Sequence, residues 1–324
     1  MAFTMHSHSG QFCPGHAKDQ LEDIVQHAIR IGYKTMGLTE HMPRTELSDL
    51  YPEELESDPH ASLAELAPRH SSYLVEAQRL QKKYADQIHI LIGIEGEWIR
   101  PAYGDIVKAY AEPACIDYFL GSVHHTAGVP IDFDKAHYAR ARDAAGGSEE
   151  LLYEKYYDEQ LEMLRTLKPR VVAHFDLIRL LSDEPARPLQ AWAGGRVWDK
   201  VVRNLEFVAS YGGWLECNTS ALRKGLDEPY PARPIAEEWL RAGGKFTFSD
   251  DSHGIAQVAT NYARGLDYLE SLSVKEVWTL ERAPHPGTSG EAKAALTEKS
   301  VPIAEFRASL RLEYTGANVT GTRR

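Results

Sequence analysis

The chain has 324 residues, of which 43% are hydrophobic and 26% are charged, a balance typical of a globular enzyme and not of a disordered segment. Its 36 basic and 47 acidic residues give a formal net charge of −11. This excess of negative charge argues against nucleic acid or anionic lipid as a partner, although bound cations could still draw an anionic substrate into one cleft.

Strand-like and helix-like patterns alternate along the chain. An apolar stretch covers residues 2–5, and apolar residues then recur at helical spacing from Leu21 to Ile29 before Gly32. The later predicted strands are 35–38, 88–94, 118–123, 171–173, 214–217 and 245–248. The later predicted helices are roughly 71–84, 149–167, 197–210 and 234–242. Such alternation indicates a parallel sheet.

The pattern predicts an α/β fold, a distorted TIM-like (β/α)7 barrel, which becomes a (β/α)8 barrel if residues 276–280 add an eighth strand. The segments 43–69, 126–148, 177–196 and 219–233 each follow a strand, and we expect them to surround the mouth of a pocket. No repeat or long linker interrupts the sequence. Residues 1–324 are therefore expected to form a single domain, with a weakly patterned tail after about residue 284.

Side chains that bind metals recur just after the predicted strands. In strand–helix barrels the active site is built at the carboxyl ends of the strands, so donors repeated at that position predict a common metal site. The nine candidates are His6, His8, His16, His41, Glu95, His124, His174, Asp251 and His253. Five other histidines lie elsewhere in the pattern and are interpreted as packing or surface residues: His27, His60, His70, His89 and His137.

The spacing of these donors suits chelation. Residues two apart in a strand point to the same face, so His6 and His8 can hold one ion, as can Asp251 and His253. Asp250 is expected on the opposite face as support or as a proton carrier, unless a bulge exchanges the two acids. Glu95 ends its strand and could bridge two ions through its separate oxygens.

Three widely spaced cysteines without a CxxC pair favour free thiols in a reducing compartment over a disulfide framework. No apolar run approaches the length of a membrane span. We expect a cytoplasmic protein without a membrane partner, and the sequence does not indicate an oligomeric state.

Seven stretches of the sequence resemble the PHP (polymerase and histidinol phosphatase) family, and within it the histidinol-phosphate phosphatases. The resemblance spans roughly residues 3 to 280, and its first and last motifs are the most specific in combination. The stretches are MHSHSGQFCPGHA, GLTEHMPR, GIEGEW, GSVHH, AHFDLI, LECNTSALRKG and FSDDSH. The extra acid in the last motif, Asp250, departs from the common Ser-Asp-x-His ending.

The resemblance implies three divalent metal ions, which in this family are zinc, iron or manganese. A ligand set of nitrogen and oxygen atoms without thiolate does not choose between these metals. Glu95 would bridge the first two ions. The implied ligand sets are His6, His8, Glu95 and Asp251; then Glu95, His124 and His174; then His16, His41 and His253.

The implied activity is hydrolysis of L-histidinol phosphate to L-histidinol and phosphate in histidine biosynthesis, by a metal-bridging hydroxide that attacks phosphorus in line. Arg223 and Lys224 are expected to contact the phosphate, with Arg44 as a further candidate. Asp250 or His125 is expected to deliver the proton to the leaving alcohol. Glu97 is a candidate for recognising the ammonium and imidazole groups of the substrate.

Three alternatives remain at this stage. An amidohydrolase-type barrel also opens with His-x-His, but usually ends with a lone Asp, so the Asp251-x-His253 pair and Glu95 favour a PHP protein. Another PHP phosphoesterase, acting on nucleotides or single-stranded nucleic acid, is disfavoured by the acidic balance. A non-catalytic metal-binding or regulatory domain would be favoured only if an essential ligand were missing.

Overall fold

The computed structural model describes residues 1–56, 58–283 and 293–311. The expected tail after about residue 284 therefore lies partly outside the described residues. The eleven strands of the described part are β1 Ala2–Thr4, β2 Tyr33–Leu38, β3 His89–Glu97, β4 Tyr118–Ser122, β5 His125–Thr126, β6 Val129–Pro130, β7 Val171–Val172, β8 Trp214–Asn218, β9 Lys245–Ser249, β10 Glu276–Arg282 and β11 Leu296–Pro302.

Helices connect most of these strands. They are α1 Leu21–Ile31, α2 Pro52–Leu55, α3 Pro59–Lys83, α4 Tyr103–Ala111, α5 Lys135–Ala144, α6 Glu149–Leu167, α7 Arg196–Ser210, α8 Ser220–Arg223, α9 Arg233–Arg241, α10 Tyr262–Ser271 and α11 Ile303–Ser309. Short 3₁₀ turns occur at Leu47–Asp49, Leu177–Arg179, Trp192–Gly195 and Ile255–Gln257. Among the described helices, none is both long and apolar enough to cross a membrane.

Seven parallel strands form a nearly closed barrel in the order β1-β2-β3-β4-β7-β8-β9. The first and last strands meet, because the amide of Met5 donates to the carbonyl of Phe248 at 3.2 Å and a parallel bridge joins Ser7 to Ser252. The prediction of a distorted seven-stranded barrel is confirmed. Residues 276–280 do form a strand, but it pairs antiparallel with β11 outside the barrel sheet, so the eight-stranded variant is wrong.

Among the predicted helices, α3 differs most from the sequence prediction, because it begins twelve residues before the expected start at residue 71. Helices α4, α5 and α10 were not predicted. The Asp58 carboxylate accepts hydrogen bonds from the amides of His60 and Ala61, and Pro59 occupies the first turn, where its missing N–H costs nothing. The apolar pattern there is weak, so only the capping residues signal this start. The segment 43–69 is therefore partly helical, and it still reaches the mouth of the barrel.

His70 of α3 is buried in this wall of the barrel. It is 7% exposed, neither ring nitrogen has a hydrogen-bond partner among the described residues, and its ring lies 4.9 Å from that of Tyr110. Burial lowers the pKa of His70 to about 4, from an ordinary value of 6.5. Between these two values the unfolded chain is protonated at His70 and the folded chain is not, so stability falls as the pH falls through this window.

Replacing His70 by leucine should remove part of the acid sensitivity of folding. Between pH 7 and pH 5 the unchanged protein should lose about 2 kcal/mol more unfolding free energy than His70→Leu, measured by urea unfolding at both pH values. His60→Leu, at an exposed position of the same helix, is the control. Parallel pH profiles for the unchanged protein and His70→Leu would contradict the assignment.

Candidate metal centre

Metal-binding side chains collect on the rim where the barrel strands end, because parallel strands in a barrel end on the same face. His6 and His8 follow β1, His41 follows β2, Glu95 lies in β3, His124 follows β4, His174 follows β7, and Asp251 and His253 follow β9. Eight of the nine predicted donors belong to groups whose ligand atoms all lie within 4.8 Å of one another. The exception is His16.

The first group joins His6, His8 and Asp251. Nε2 of His6 and Nε2 of His8 are 3.0 Å apart, and they lie 3.6 Å and 3.4 Å from Oδ1 of Asp251. Oε2 of Glu95 is 3.3 Å from the first nitrogen and 3.5 Å from the second. In a tetrahedral site with bonds of about 2.0–2.1 Å, neighbouring ligand atoms are about 3.3 Å apart. The four donors therefore fit a single ion.

The second group uses the other oxygen of Glu95. Oε1 lies 3.2 Å from Nε2 of His124 and 3.0 Å from Nε2 of His174, and these two nitrogens are 3.1 Å apart. The two carboxylate oxygens of one buried residue therefore face two separate sets of imidazoles. A glutamate in this arrangement can serve two ions at once.

The third group is His8, His41 and His253, which differs from the set implied by the family resemblance. This group includes His8, which also belongs to the first group, and it does not include His16. The His16 side chain is 44% exposed, its Nδ1 lies 3.3 Å from a carboxylate oxygen of Glu53, and its ring lies 4.7 Å from that of His253. A fourth group, His41, Glu97 and His124, overlaps the second and third.

The electrostatics of the centre fit a cation. Burial would raise the pKa of Glu95, but His124, His6 and His41 outweigh this effect and hold it well below its ordinary value. Burial, together with His41, lowers the pKa of His8 to about 3, so this imidazole is neutral, as a ligand must be. The buried acids raise the pKa of His6 and of His124 against the effect of burial. A bound ion would replace these protons as the positive charge beside the carboxylates.

Glu216 is a functional candidate that the sequence analysis missed. It lies in β8, is fully buried, and accepts a hydrogen bond from Nδ1 of His6 at 2.9 Å. The same oxygen accepts from the Ser249 hydroxyl, and the other oxygen accepts from the amide of His174 and from Nδ2 of Asn218, both at 2.9 Å. A carboxylate behind a ligand imidazole fixes its tautomer and orientation. The sequence did contain a signal for this role, because Glu216 is a charged residue inside the otherwise apolar strand stretch Trp214–Cys217.

A pocket of about 220 Å³ opens onto the centre. One side is formed by donors of the rim, among them His41, His174 and His253. The opposite side is formed by Arg44, Tyr51, Glu54, Glu65, Arg69 and His70 from the segment that includes α2 and α3. Each of the four segments predicted to surround the mouth contributes lining residues, because Asp132, Leu177 and Lys224 also face this space.

Comparison with known proteins assigns the family. Residues 4–220 match the PHP domain. A probable histidinol-phosphatase of Schizosaccharomyces pombe is 40% identical over 284 residues, which cover 88% of this chain and 91% of the relative. The histidinol-phosphatase of Saccharomyces cerevisiae is 33% identical over an alignment that covers 93% of this chain and 96% of the relative. The chain belongs to the PHP family.

Two solved structures share the fold of this PHP protein. A putative histidinol phosphatase from Listeria monocytogenes superposes with a TM-score of 0.68 at 22% identity, covering 81% of this chain and 99% of that structure. The histidinol phosphate phosphatase from Lactococcus lactis, complexed with zinc, L-histidinol and phosphate, has a TM-score of 0.62 at 17% identity, covering 86% and 96%. Membership in the PHP family overturns the amidohydrolase-type alternative.

Arg223 lies behind the loop that follows β9. Its Nη1 and Nη2 atoms donate to the carbonyls of Asp250 and Asp251, each at 2.9 Å. Asp251 has a φ of 48°, in the left-handed region that non-glycine residues rarely adopt. Such a conformation persists when surrounding contacts hold it, and the guanidinium supplies two of them. The structure thus places Arg223 where it orients a ligand loop, and Lys224 where it lines the pocket.

Asp250 points away from the pocket. Its carboxylate accepts hydrogen bonds from the Tyr33 hydroxyl at 2.9 Å, from the amide of Ala259 at 2.6 Å and from the amide of Ser252 at 3.2 Å, and it is fully buried. The Tyr33 contact ties the loop after β9 to β2, and the two amide contacts hold the loop itself in shape. They suit a structural anchor better than a carrier of protons to substrate.

Replacing Asp250 by asparagine should therefore lower stability more than turnover. Asparagine would turn an amide N–H₂ toward donor groups, which should cost about 2–3 kcal/mol of unfolding free energy, while kcat of the folded protein stays within about threefold. Urea unfolding and kcat are measured together, with Asp86→Asn at an exposed position as the control. A hundredfold fall in kcat at unchanged stability would instead assign Asp250 to proton transfer.

The remaining predicted site residues lie in the walls. His125 is buried, its ring lies 5.4 Å from that of Tyr51, and burial lowers its pKa to about 4. Arg44 donates to both oxygens of Glu97 at 3.1 Å and to Glu54 at 2.5 Å. Glu97 also lies 3.0 Å from Nδ1 of His41, so its carboxylate is already engaged on two sides.

Proposed function

We propose that this protein is a metal-dependent histidinol-phosphatase, which hydrolyses L-histidinol phosphate to L-histidinol and phosphate. The observation that carries the proposal is the arrangement around Glu95, whose two oxygens face two separate groups of imidazoles at the mouth of a PHP barrel. The choice of substrate is supported by the relatives in Schizosaccharomyces pombe and Saccharomyces cerevisiae. This chain covers more than nine-tenths of the length of each. The enzyme class is a phosphoric monoester hydrolase.

We propose three divalent ions in the centre. The first would be held by His6, His8, Asp251 and Glu95, the second by Glu95, His124 and His174, and the third by His41 and His253 with His16. His8 is left to the first ion, because a neutral imidazole has one free lone pair. Bound ions would neutralise the phosphoryl oxygens and lower the pKa of a coordinated water. The donor set admits zinc, iron or manganese, and zinc is favoured because it accompanies the Lactococcus lactis structure.

The protein's own groups would bind and orient the substrate. Lys224 lines the pocket next to the rim and would contact the phosphate, while Arg223 keeps the Asp251 turn in place. Glu65 and Asp132 also line the pocket and would pair with the ammonium and imidazole groups of the substrate. These two acids replace Glu97, which Arg44 and His41 already engage.

The cellular role that follows is a step of histidine biosynthesis in the cytoplasm, with a small phosphate ester as the partner of the site. The negative formal charge of −11 and the acidic wall of the pocket disfavour a nuclease role, because a polyanion would be repelled beyond the immediate reach of the ions.

The test is turnover by the purified protein after its metal content has been measured. We expect kcat/KM for L-histidinol phosphate to exceed that for other small phosphomonoesters by about 10²-fold or more. Activity should disappear on chelation and return with added zinc, iron or manganese. Faster cleavage of single-stranded DNA than of L-histidinol phosphate would overturn the proposal.

A further inference from the structure

A second cavity, of about 460 Å³, lies beside the metal centre and is lined by other residues. Its walls come from α6, from the segment after β7, from residues 184–189, from the loop after α8 and from the start of α9. We call it the flank cavity. The metal ligands do not line it, and nothing in the proposed reaction uses it.

Two residues that line the flank cavity carry buried polar atoms without a hydrogen-bond partner among the described residues. Asp176 is 1% exposed, and its Oδ2 accepts from Nε of Arg179 at 2.7 Å and from the amide of Ala232 at 2.9 Å. Its Oδ1 has no hydrogen-bond partner among the described residues, nor does the hydroxyl of the fully buried Tyr157. An unsatisfied buried polar group costs about 1–3 kcal/mol, so a polar ligand that reached both groups would gain binding energy from them.

Arg179 supplies a complementary donor. Its hydrogen bonds to described residues use Nε and Nη2 only, the latter reaching the carbonyls of Glu228 and Pro229. Nη1 therefore remains available to an acceptor. A free carboxylate oxygen and a free guanidinium N–H, three residues apart on one turn, match a ligand that carries an ammonium next to an oxygen acceptor.

The rest of the wall combines apolar side chains with five charged residues, Glu184, Arg187, Asp227, Glu228 and Arg233. The volume limits the ligand to a small molecule, and the apolar part of the wall suits a modest side chain. This apolar part includes Pro185, Leu189, Leu226, Pro234 and Ile235. We propose that the flank cavity binds a small α-amino compound, either an α-amino acid or a 2-amino alcohol. Its ammonium pairs with Asp176 and its oxygen accepts from Arg179, while the hydroxyl of Tyr157 contacts the same polar end.

The position of the cavity links it to the catalytic pocket. Leu177 lines the pocket at the metal centre, and Leu226 lines the flank cavity. Both belong to one small buried cluster with Ala221 and Tyr230. A ligand in the flank cavity therefore contacts the same packed unit that carries the substrate side of the loop after β8.

A pair of adjacent tyrosines provides the test. The hydroxyl of Tyr157 has no partner in the described part of the chain, whereas that of Tyr156 donates to the carbonyl of Phe175 at 3.1 Å, and Tyr156 does not line the cavity. Binding of L-histidine and of L-histidinol to the metal-loaded protein is measured by titration calorimetry. Tyr157→Phe should weaken binding of one or both probes about fivefold, the loss of one hydrogen bond. Tyr156→Phe should leave the affinities unchanged.

The two probes separate the two ligand sources. Only the part of the binding that Tyr157→Phe weakens is assigned to the flank cavity, because L-histidinol is also the product of the proposed reaction. In that part, preference for L-histidine assigns an amino acid, preference for L-histidinol assigns an amino alcohol, and equal affinity assigns recognition of the ammonium group. The proposal is overturned if each probe binds the Tyr157→Phe and Tyr156→Phe variants with the same affinity. It is also overturned if neither probe binds. Only the choice of probes rests on the proposed function. If L-histidinol phosphate is not hydrolysed while Tyr157 still governs amine binding, the proposed function fails and the flank cavity stands.

Discussion

Replacing Glu95 by glutamine should lower kcat/KM for L-histidinol phosphate by at least about 10³-fold and should remove metal from the purified protein. Glutamine keeps the size of the side chain but has one oxygen in place of two. The two oxygens of Glu95 each face a different group of imidazoles, at 3.0–3.5 Å. An ion that stabilises transition-state charge contributes several kcal/mol, and Glu95→Gln disturbs two such sites.

The matched control is Glu159→Gln. Glu159 is also a buried glutamate, with 8% of its surface exposed. It accepts a hydrogen bond from the amide of Ala127 and forms an ion pair with Lys155, and it belongs to none of the metal-binding groups. Its replacement should leave the metal content unchanged. Metal analysis and steady-state kinetics are compared for both variants. Full metal content with near-normal kcat/KM in Glu95→Gln would refute the bridging role.

Replacing Glu216 by glutamine should weaken metal binding about 10–100-fold, the range seen when a partner behind a ligand is lost. The carboxylate accepts four hydrogen bonds, including those from Nδ1 of His6 and from the amide of His174. One N–H₂ group in its place must face a donor. The His6 imidazole, or the backbone that carries His174, then loses the hydrogen bond that orients it. The metal-binding side chains of both residues are still there.

The measurement is metal affinity by competition with a chelator, followed by kcat/KM at rising metal concentration. If Glu216 acts through its neighbours, activity in Glu216→Gln should recover toward the original value once metal is in excess. A simple loss of folding would not be reversed in this way. Unchanged affinity, or an activity loss that excess metal does not restore, would show that Glu216 does not position the ligands.

The ligand positions could be predicted because they depend on local pattern. A strand repeats every two residues, so His-x-His and Asp-x-His mark one face at a strand end, and alternating strands and helices bring all such ends to one rim. The predicted start of α3 was wrong because the apolar pattern is weak in its first turns. The true start is marked instead by Asp58, which caps the helix. Glu216 was missed because its role requires His6, which lies 210 residues away in the sequence.

The sequence by itself determined the barrel, the residue types of the centre and their places after the strands, since these follow from side-chain periodicity and chain order. Tertiary structure alone decided which donors approach each other: His8 joins His41 and His253, Glu95 faces two groups, and Asp250 turns toward Tyr33. The physical reason is closure of the barrel. Atom-to-atom distances across the rim depend on strand register and on the turn at Asp251, and neither is contained in local spacing.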